Sequence, residues 1–248
     1  MLKHVFLSFA VFLHLSVYSQ SFKSGQLKNQ RVKTAYSEKW ETLKAEMTKQ
    51  KINKDNFELF IRVFKQDKTT EVWLKSQGEK EYKLFKTYSI CSSSGELGPK
   101  RHQGDGQVPE GAYSVSVFNP YSNYYLSLGV SYPNQSDKII GKTNPGGDIM
   151  IHGNCVTIGC IPLTDKYIKE VYVLAVEARN SGQQTIPVHI FPTRMNDKGM
   201  KYLAENFTEK KSLLDFWNNL KPVYDYFELH KQVPKVSIDK QGKYNVVK

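Results

Sequence analysis

The stretch Ile149-Met150-Ile151-His152-Gly153-Asn154-Cys155-Val156-Thr157-Ile158-Gly159-Cys160 runs an apolar segment into a histidine followed at once by glycine, and ends on a cysteine preceded by glycine. Free cysteine is mostly thiol at neutral pH. A nearby imidazole can take its proton, and the thiolate is the nucleophile. Glycine beside a nucleophile lets the backbone turn sharply, so the N–H groups of Ile158, Gly159 and Cys160 can face a developing oxyanion. The segment therefore holds a candidate nucleophile, Cys160, a candidate base, His152, and candidate oxyanion donors. The plainer reading is two packed core residues. His152, Cys155 and Cys160 are one ligand short of the usual zinc set, and no second Cys/His cluster supplies it. No metal or cofactor is expected.

Further motifs flank the stretch: Cys91-Ser92-Ser93-Ser94-Gly95-Glu96-Leu97-Gly98-Pro99-Lys100, Gly104-Asp105-Gly106-Gln107-Val108-Pro109-Glu110-Gly111-Ala112-Tyr113, Phe118-Asn119-Pro120, Leu126-Ser127-Leu128 and Tyr132-Pro133-Asn134. In this order they resemble the YkuD-type L,D-transpeptidase catalytic domain over residues 57–192, and more closely its YafK-like branch. The resemblance implies a mainly β (α+β) fold. It would be a β-sandwich with an N-terminal helix, one helix after the catalytic cysteine and a C-terminal helical appendage. It also implies cysteine acyl transfer on peptidoglycan stem peptides. Cys160 would attack the carbonyl, His152 would move the proton, and the backbone carbonyl of Gly153 would orient the imidazole.

Two departures accompany the resemblance. Thr157-Ile158-Gly159-Cys160 lacks the second histidine of the common Ser-His-Gly-Cys pattern, and Pro162 stands where many members carry an arginine. Cross-linking and hydrolysis therefore both remain open, as does a wall-binding module without activity. Thr157 keeps the hydroxyl of the usual serine. Lys100, Arg101, Thr157 and Tyr132 are candidate substrate contacts, with a solvated loop as the plainer reading of the two cations. A thiolate held by His152 would alkylate unusually fast at pH 6.

The chain has 248 residues and a net charge of +11, with 40% hydrophobic and 12% aromatic residues, which suits a globular protein. A basic surface suits an anionic polymer. The lysines are scattered and no nucleic-acid motif accompanies them, so nucleic acid is not expected as a partner. Residues 1–19 read as an export signal: Lys3 and His4, an apolar run to Val17, then Val17-Tyr18-Ser19 before a cut ahead of Gln20. A periplasmic or cell-envelope location follows, with no membrane span after removal. Three cysteines leave at least one unpaired in an exported chain. A Cys91–Cys155 bridge is one option.

Residues 35–50 have helical periodicity, and residues 57–64, 70–75, 82–90, 112–118, 124–130 and 186–191 read as strands. Pro187 suggests an edge or a strand start. His189 alternates with apolar neighbours and reads as structural. Residues 92–111 and 132–147 read as long loops, with Asp105 and Glu110 as turn and structural residues. Thr164 is an expected N-cap for the helix that follows. Residues 197–230 turn helical again, interrupted at Pro222. The expected organisation is a signal (1–19), a linker and helix (20–55), the catalytic domain (56–193), a helical appendage (194–232) and a basic tail (233–248) with little to bury.

Overall fold

The computed structural model describes residues 21–141 and 144–247, so the expected export signal lies outside the described residues. Two helices come first, α1 (Phe22–Gln26) and α2 (Gln30–Lys49). Asn29 caps α2 by accepting from the Arg31 N–H, and Val32, Ala35, Leu43 and Met47 bury its apolar stripe. Next come β1 (Phe57–Phe64), β2 (Thr69–Ser76), β3 (Lys83–Ser89), β4 (Gly111–Asn119), β5 (Ser127–Val130), α3 (Gln135–Gly141), β6 (Met150–His152) and β7 (Ile161–Pro162). Then follow α4 (Thr164–Asn180), β8 (Pro187–Phe191), α5 (Asp197–Asn206), α6 (Lys211–His230), β9 (Lys235–Ile238) and β10 (Tyr244–Val247).

The first eight strands form one mixed sheet, ordered β3-β2-β1-β8-β4-β5-β6-β7. The β1–β8 and β6–β7 pairs are parallel. Strand β4 is the corner: residues 111–114 pair with β8, residues 115–119 pair with β5, and the register shifts between Val115 and Val117. Such an irregularity bends a strand and increases its twist. The sheet therefore curls, and residues of both halves (Leu59, Ile61, Leu128, Ile151) share one core with Val171, Leu174 and Ala175 of α4. This is the expected sheet-dominated α+β class.

Strand β1 shows why its alternation is weak in sequence. Leu59, Ile61 and Val63 enter the core that α4 fills, whereas Phe60 and Phe64 join aromatic clusters with Phe227 and Trp217 of α6. A strand covered on both faces has no solvent side to mark with polar residues. Pro222 lies inside α6 and does not end it; the break falls at residues 207–210. The buried face of α6 outweighs the one hydrogen bond that proline removes. Residues 132–147 are not all loop, since α3 forms there. Residues 235–247 make a hairpin rather than a solvated tail, and Tyr244 is buried with its hydroxyl accepting from Asn134 Nδ2 at 2.8 Å. Pro187 starts β8, which is an inner strand and not an edge. Leu163, not Thr164, occupies the N-cap position of α4, and no side chain caps it.

His189 lies edge-on to Phe60, with ring centroids 4.8 Å apart, and is buried. Burial first, and then the Arg62 guanidinium, push its imidazole down to about 3. The unfolded chain, with histidine near 6.5, binds more protons than the fold between those values, so this residue's contribution falls as pH drops below about 6.5. Between pH 7 and pH 5 the loss is about 2 kcal/mol. Asp137, raised to about 6 mainly by burial, works in the opposite direction. Urea unfolding of wild type and His189→Phe at both pH values cancels that shared contribution. The variant should lose about 2 kcal/mol less than wild type on acidification. Equal losses in both proteins refute the assignment.

Candidate active site

The parallel ladder β6–β7 places the two key residues at one end of the sheet, with no hydrogen bond between His152 and Cys160 among the described residues. Ile151 pairs with Ile161 and His152 with Pro162, so the register sets Cys160 beside Met150, on the same side of the pleat as His152. The Met150 N–H donates to the Cys160 sulfur, and the thiol faces the Asp148 carbonyl at 3.6 Å. His152 is fully buried, and its Nδ1 lies 2.5 Å from the Gly153 carbonyl. That contact makes Nδ1 the protonated nitrogen and leaves Nε2 with its lone pair. Nε2 is buried and has no hydrogen-bond partner. The Tyr124 ring covers the imidazole, centroid to centroid 4.7 Å.

Electrostatics favour neutral forms of both residues. Burial raises the Cys160 thiol, aided by Asp148 and opposed by the Met150 N–H and Lys100. Burial lowers the His152 imidazole, against the Gly153 contact. A preformed thiolate–imidazolium pair is thus disfavoured at rest. Desolvation penalises both charges, which weighs against the unusually fast alkylation expected at pH 6.

Backbone geometry explains the glycines. A Cβ on Gly153 would stand 2.6 Å from Asp165 Oδ1 and 2.8 Å from the Tyr124 carbonyl. Asp165 uses the same oxygen to accept the Asn154 N–H at 2.8 Å, which ties the loop to the first turn of α4. Gly159 has φ +129° and passes close to the Gln107 carbonyl. Its N–H donates to Thr157 Oγ1 at 3.1 Å, and that hydroxyl donates to the Cys160 carbonyl at 2.7 Å. Ile158 is 87% exposed at the loop tip. Cys91 and Cys155 form a disulfide with Cα atoms 5.6 Å apart, and Cys160 is the free thiol. The bridge anchors the loop that leads to Cys160 to the chain just past β3.

The other sequence candidates have internal partners. Lys100 is buried and holds Asp105 Oδ1 at 2.5 Å and the His102 carbonyl at 2.7 Å. Arg101 meets Asp137 at 2.9 Å. Neither stands as a free cation for a substrate carboxylate, although Lys100 is near enough to Cys160 to favour its thiolate. Tyr132 is buried, with its hydroxyl donating to the Pro145 carbonyl at 3.0 Å. Glu110 is structural, as read: it accepts from Trp217 Nε1 at 2.7 Å and meets Lys65 at 2.9 Å. Asp148, Met150 and Asp165 also shape the site, and no local sequence signal marks their roles. Among the described residues no cluster of three or more His, Cys, Asp or Glu could hold a metal.

A curled α+β sheet with a buried imidazole at the end of β6 and one free thiol just before β7 is the setting of the candidate site. The chain belongs to the L,D-transpeptidase catalytic domain family, whose YkuD sequence model matches residues 58–190. It is 41% identical over 193 residues to the Escherichia coli K12 protein named "Putative L,D-transpeptidase YafK", covering 77% of this chain and 74% of that one. Among solved structures it is similar to the helical cell shape determining protein Pgp2 from Campylobacter jejuni, with a TM-score of 0.45 and 19% identity over 75% of this chain and 74% of that one. It is also similar to Mycobacterium tuberculosis L,D-transpeptidase 1, with a TM-score of 0.29 and 15% identity over 54% of this chain and 62% of that one.

Proposed function

We propose that this protein is an exported cysteine acyltransferase acting on peptidoglycan stem peptides in the cell envelope. The observation that carries the reading is His152: buried, oriented through Nδ1, and leaving Nε2 unpartnered beside the strand that follows Cys160. With both groups neutral at rest, the proton moves as the bond forms. Nε2 takes the thiol proton while sulfur adds to the peptide carbonyl. The tetrahedral intermediate collapses to a thioester, and the imidazolium gives its proton to the departing amine. A second amine, or water, then attacks the thioester and restores the thiol. The N–H groups of Ile158 and Cys160 serve the oxyanion; Gly159 joins them once Thr157 releases its N–H. Gly153 contributes its carbonyl as the orienting third member. Export rests on residues 1–19.

Incubating the protein with purified wall peptides and weighing the products tests this reading. Cross-linked peptides mark transfer to an amine, and shortened peptides mark hydrolysis. The hydrolytic outcome gains support from Pro162, which leaves no arginine after the nucleophile for an acceptor or donor carboxylate. If neither product accumulates, the enzyme reading is overturned and a wall-binding module takes its place.

A further inference from the structure

We propose that Arg31, on α2 and ahead of the sheet, is a positioning residue for His152: its guanidinium clamps the β4–β5 loop so that the Tyr124 ring lies over the imidazole and keeps water off it. The proposal rests on His152 being the base of the proposed reaction.

The loop, residues 120–126, meets His152 and Gly153 from one side. The Tyr124 ring lies 4.7 Å from the imidazole, centroid to centroid, with 32° between the planes. Tyr124 is 41% exposed and His152 is 0% exposed, so the tyrosine ring covers the imidazole and itself meets solvent. The Tyr124 carbonyl passes so near Gly153 that a Cβ there would come within 2.8 Å of it, and the Leu126 carbonyl accepts the Gly153 N–H at 3.2 Å. The same loop thus touches the imidazole and the residue whose carbonyl orients it.

The shape of this loop is imposed from outside. Tyr125 has φ +74°, a left-handed backbone that costs a bulky residue energy and persists only where its surroundings fix it. Two helices supply those surroundings. Arg31 Nη1 donates to the Ser122 carbonyl at 2.6 Å and to the Tyr125 carbonyl at 2.7 Å, one on each side of Tyr124. Lys169 of α4 stands over the Tyr125 ring at 5.3 Å, and Glu38 of α2 holds that lysine at 2.7 Å. Hydrogen bonds from a charged donor are the stronger kind. Two of them from one nitrogen fix the spacing of the residues that bracket Tyr124. No charged side chain bonds to the imidazole itself: Asp165 of α4 accepts the Asn154 N–H, and the Cys160 thiol faces the Asp148 carbonyl. Arg31 therefore acts on His152 through the covering ring.

The test follows the titration of His152 by NMR in the full chain, labelled in its histidine rings and assigned with His152→Gln. It does not depend on turnover. Tyr124→Ala admits water and relieves the burial that favours the neutral ring, so the midpoint should rise toward about 6.5, by about half a pH unit or more. Arg31→Met should raise it in the same direction. Tyr124→Phe keeps the ring and should titrate as wild type. The double variant Arg31→Met, Tyr124→Ala should match Tyr124→Ala alone, because the clamp then has no ring to place; a direct field from the guanidinium would add instead. Met47→Ala loosens the other end of α2 without touching the clamp and should leave the midpoint unmoved. An unshifted midpoint in Arg31→Met or Tyr124→Ala, additive shifts in the double variant, or an equal shift in Met47→Ala overturns the proposal. With wall peptides, Arg31→Met should lower kcat and leave KM nearly unchanged, as expected of a residue that orients the base; a raised KM at constant kcat also overturns it. If wall peptides are not turned over and the Arg31→Met midpoint still shifts, the proposed reaction fails and the clamp stands.

Discussion

Cys160→Ser is expected to lower product formation from wall peptides by ~10³-fold or more, with His152→Ala nearly as severe. Serine holds its proton far more tightly than cysteine, and an imidazole already disfavoured in its charged form has little capacity to remove it. Because the two groups act in one step, the double variant should be scarcely worse than either single one. Mass analysis of the products at equal protein concentration gives the comparison. A Cys160→Ser protein working within tenfold of wild type rules out Cys160 as the nucleophile. The resting electrostatics add a second signature. Alkylation of Cys160 at pH 6 should be no faster than that of free cysteine, because burial holds the proton on sulfur.

The second large effect concerns the bridge. Cys91 and Cys155 are 64 positions apart, and closing a loop of that length removes about 4 kcal/mol of chain entropy from the unfolded state at 25 °C. The double variant Cys91→Ser, Cys155→Ser should lose stability of that order in urea unfolding. A loss below about 1 kcal/mol refutes the assignment of the bridge as a stability element. The native protein should titrate one thiol and the reduced, unfolded protein three. The bridge also joins the loop between His152 and Cys160 to the chain just before Ser92, which lines a hollow beside Cys160. Its removal should therefore raise KM for wall peptides as well as destabilise the fold.

Much of the site was legible in residue order. A histidine that ends an apolar run and a cysteine soon after it, each beside glycine, mark the candidate chemistry because the types are rare and their spacing is short. The glycines read as points where the backbone turns sharply; the close approach of Gly153 to Asp165 and of Gly159 to the Gln107 carbonyl came only from the fold. Six of the sheet's eight strands were visible in composition, whereas the short β6 and β7 that frame the site were not. The helix at α3 and the terminal hairpin were hidden. Their stabilising contacts, such as Ser136 to the Gly242 carbonyl and Asn134 to Tyr244, cross more than 100 positions of sequence.

The sequence by itself determined which atoms could react: a thiol, an imidazole and a carbonyl to orient it, within one short segment. Tertiary structure alone decided their charge and their surroundings. Whether a cation such as Lys100 is matched depends on carboxylates brought in from elsewhere, and whether a thiol holds its proton depends on how much water the fold removes. Both are sums over neighbours that the curl at β4 and the register of β6 on β7 assemble, and a linear order of residues does not contain them.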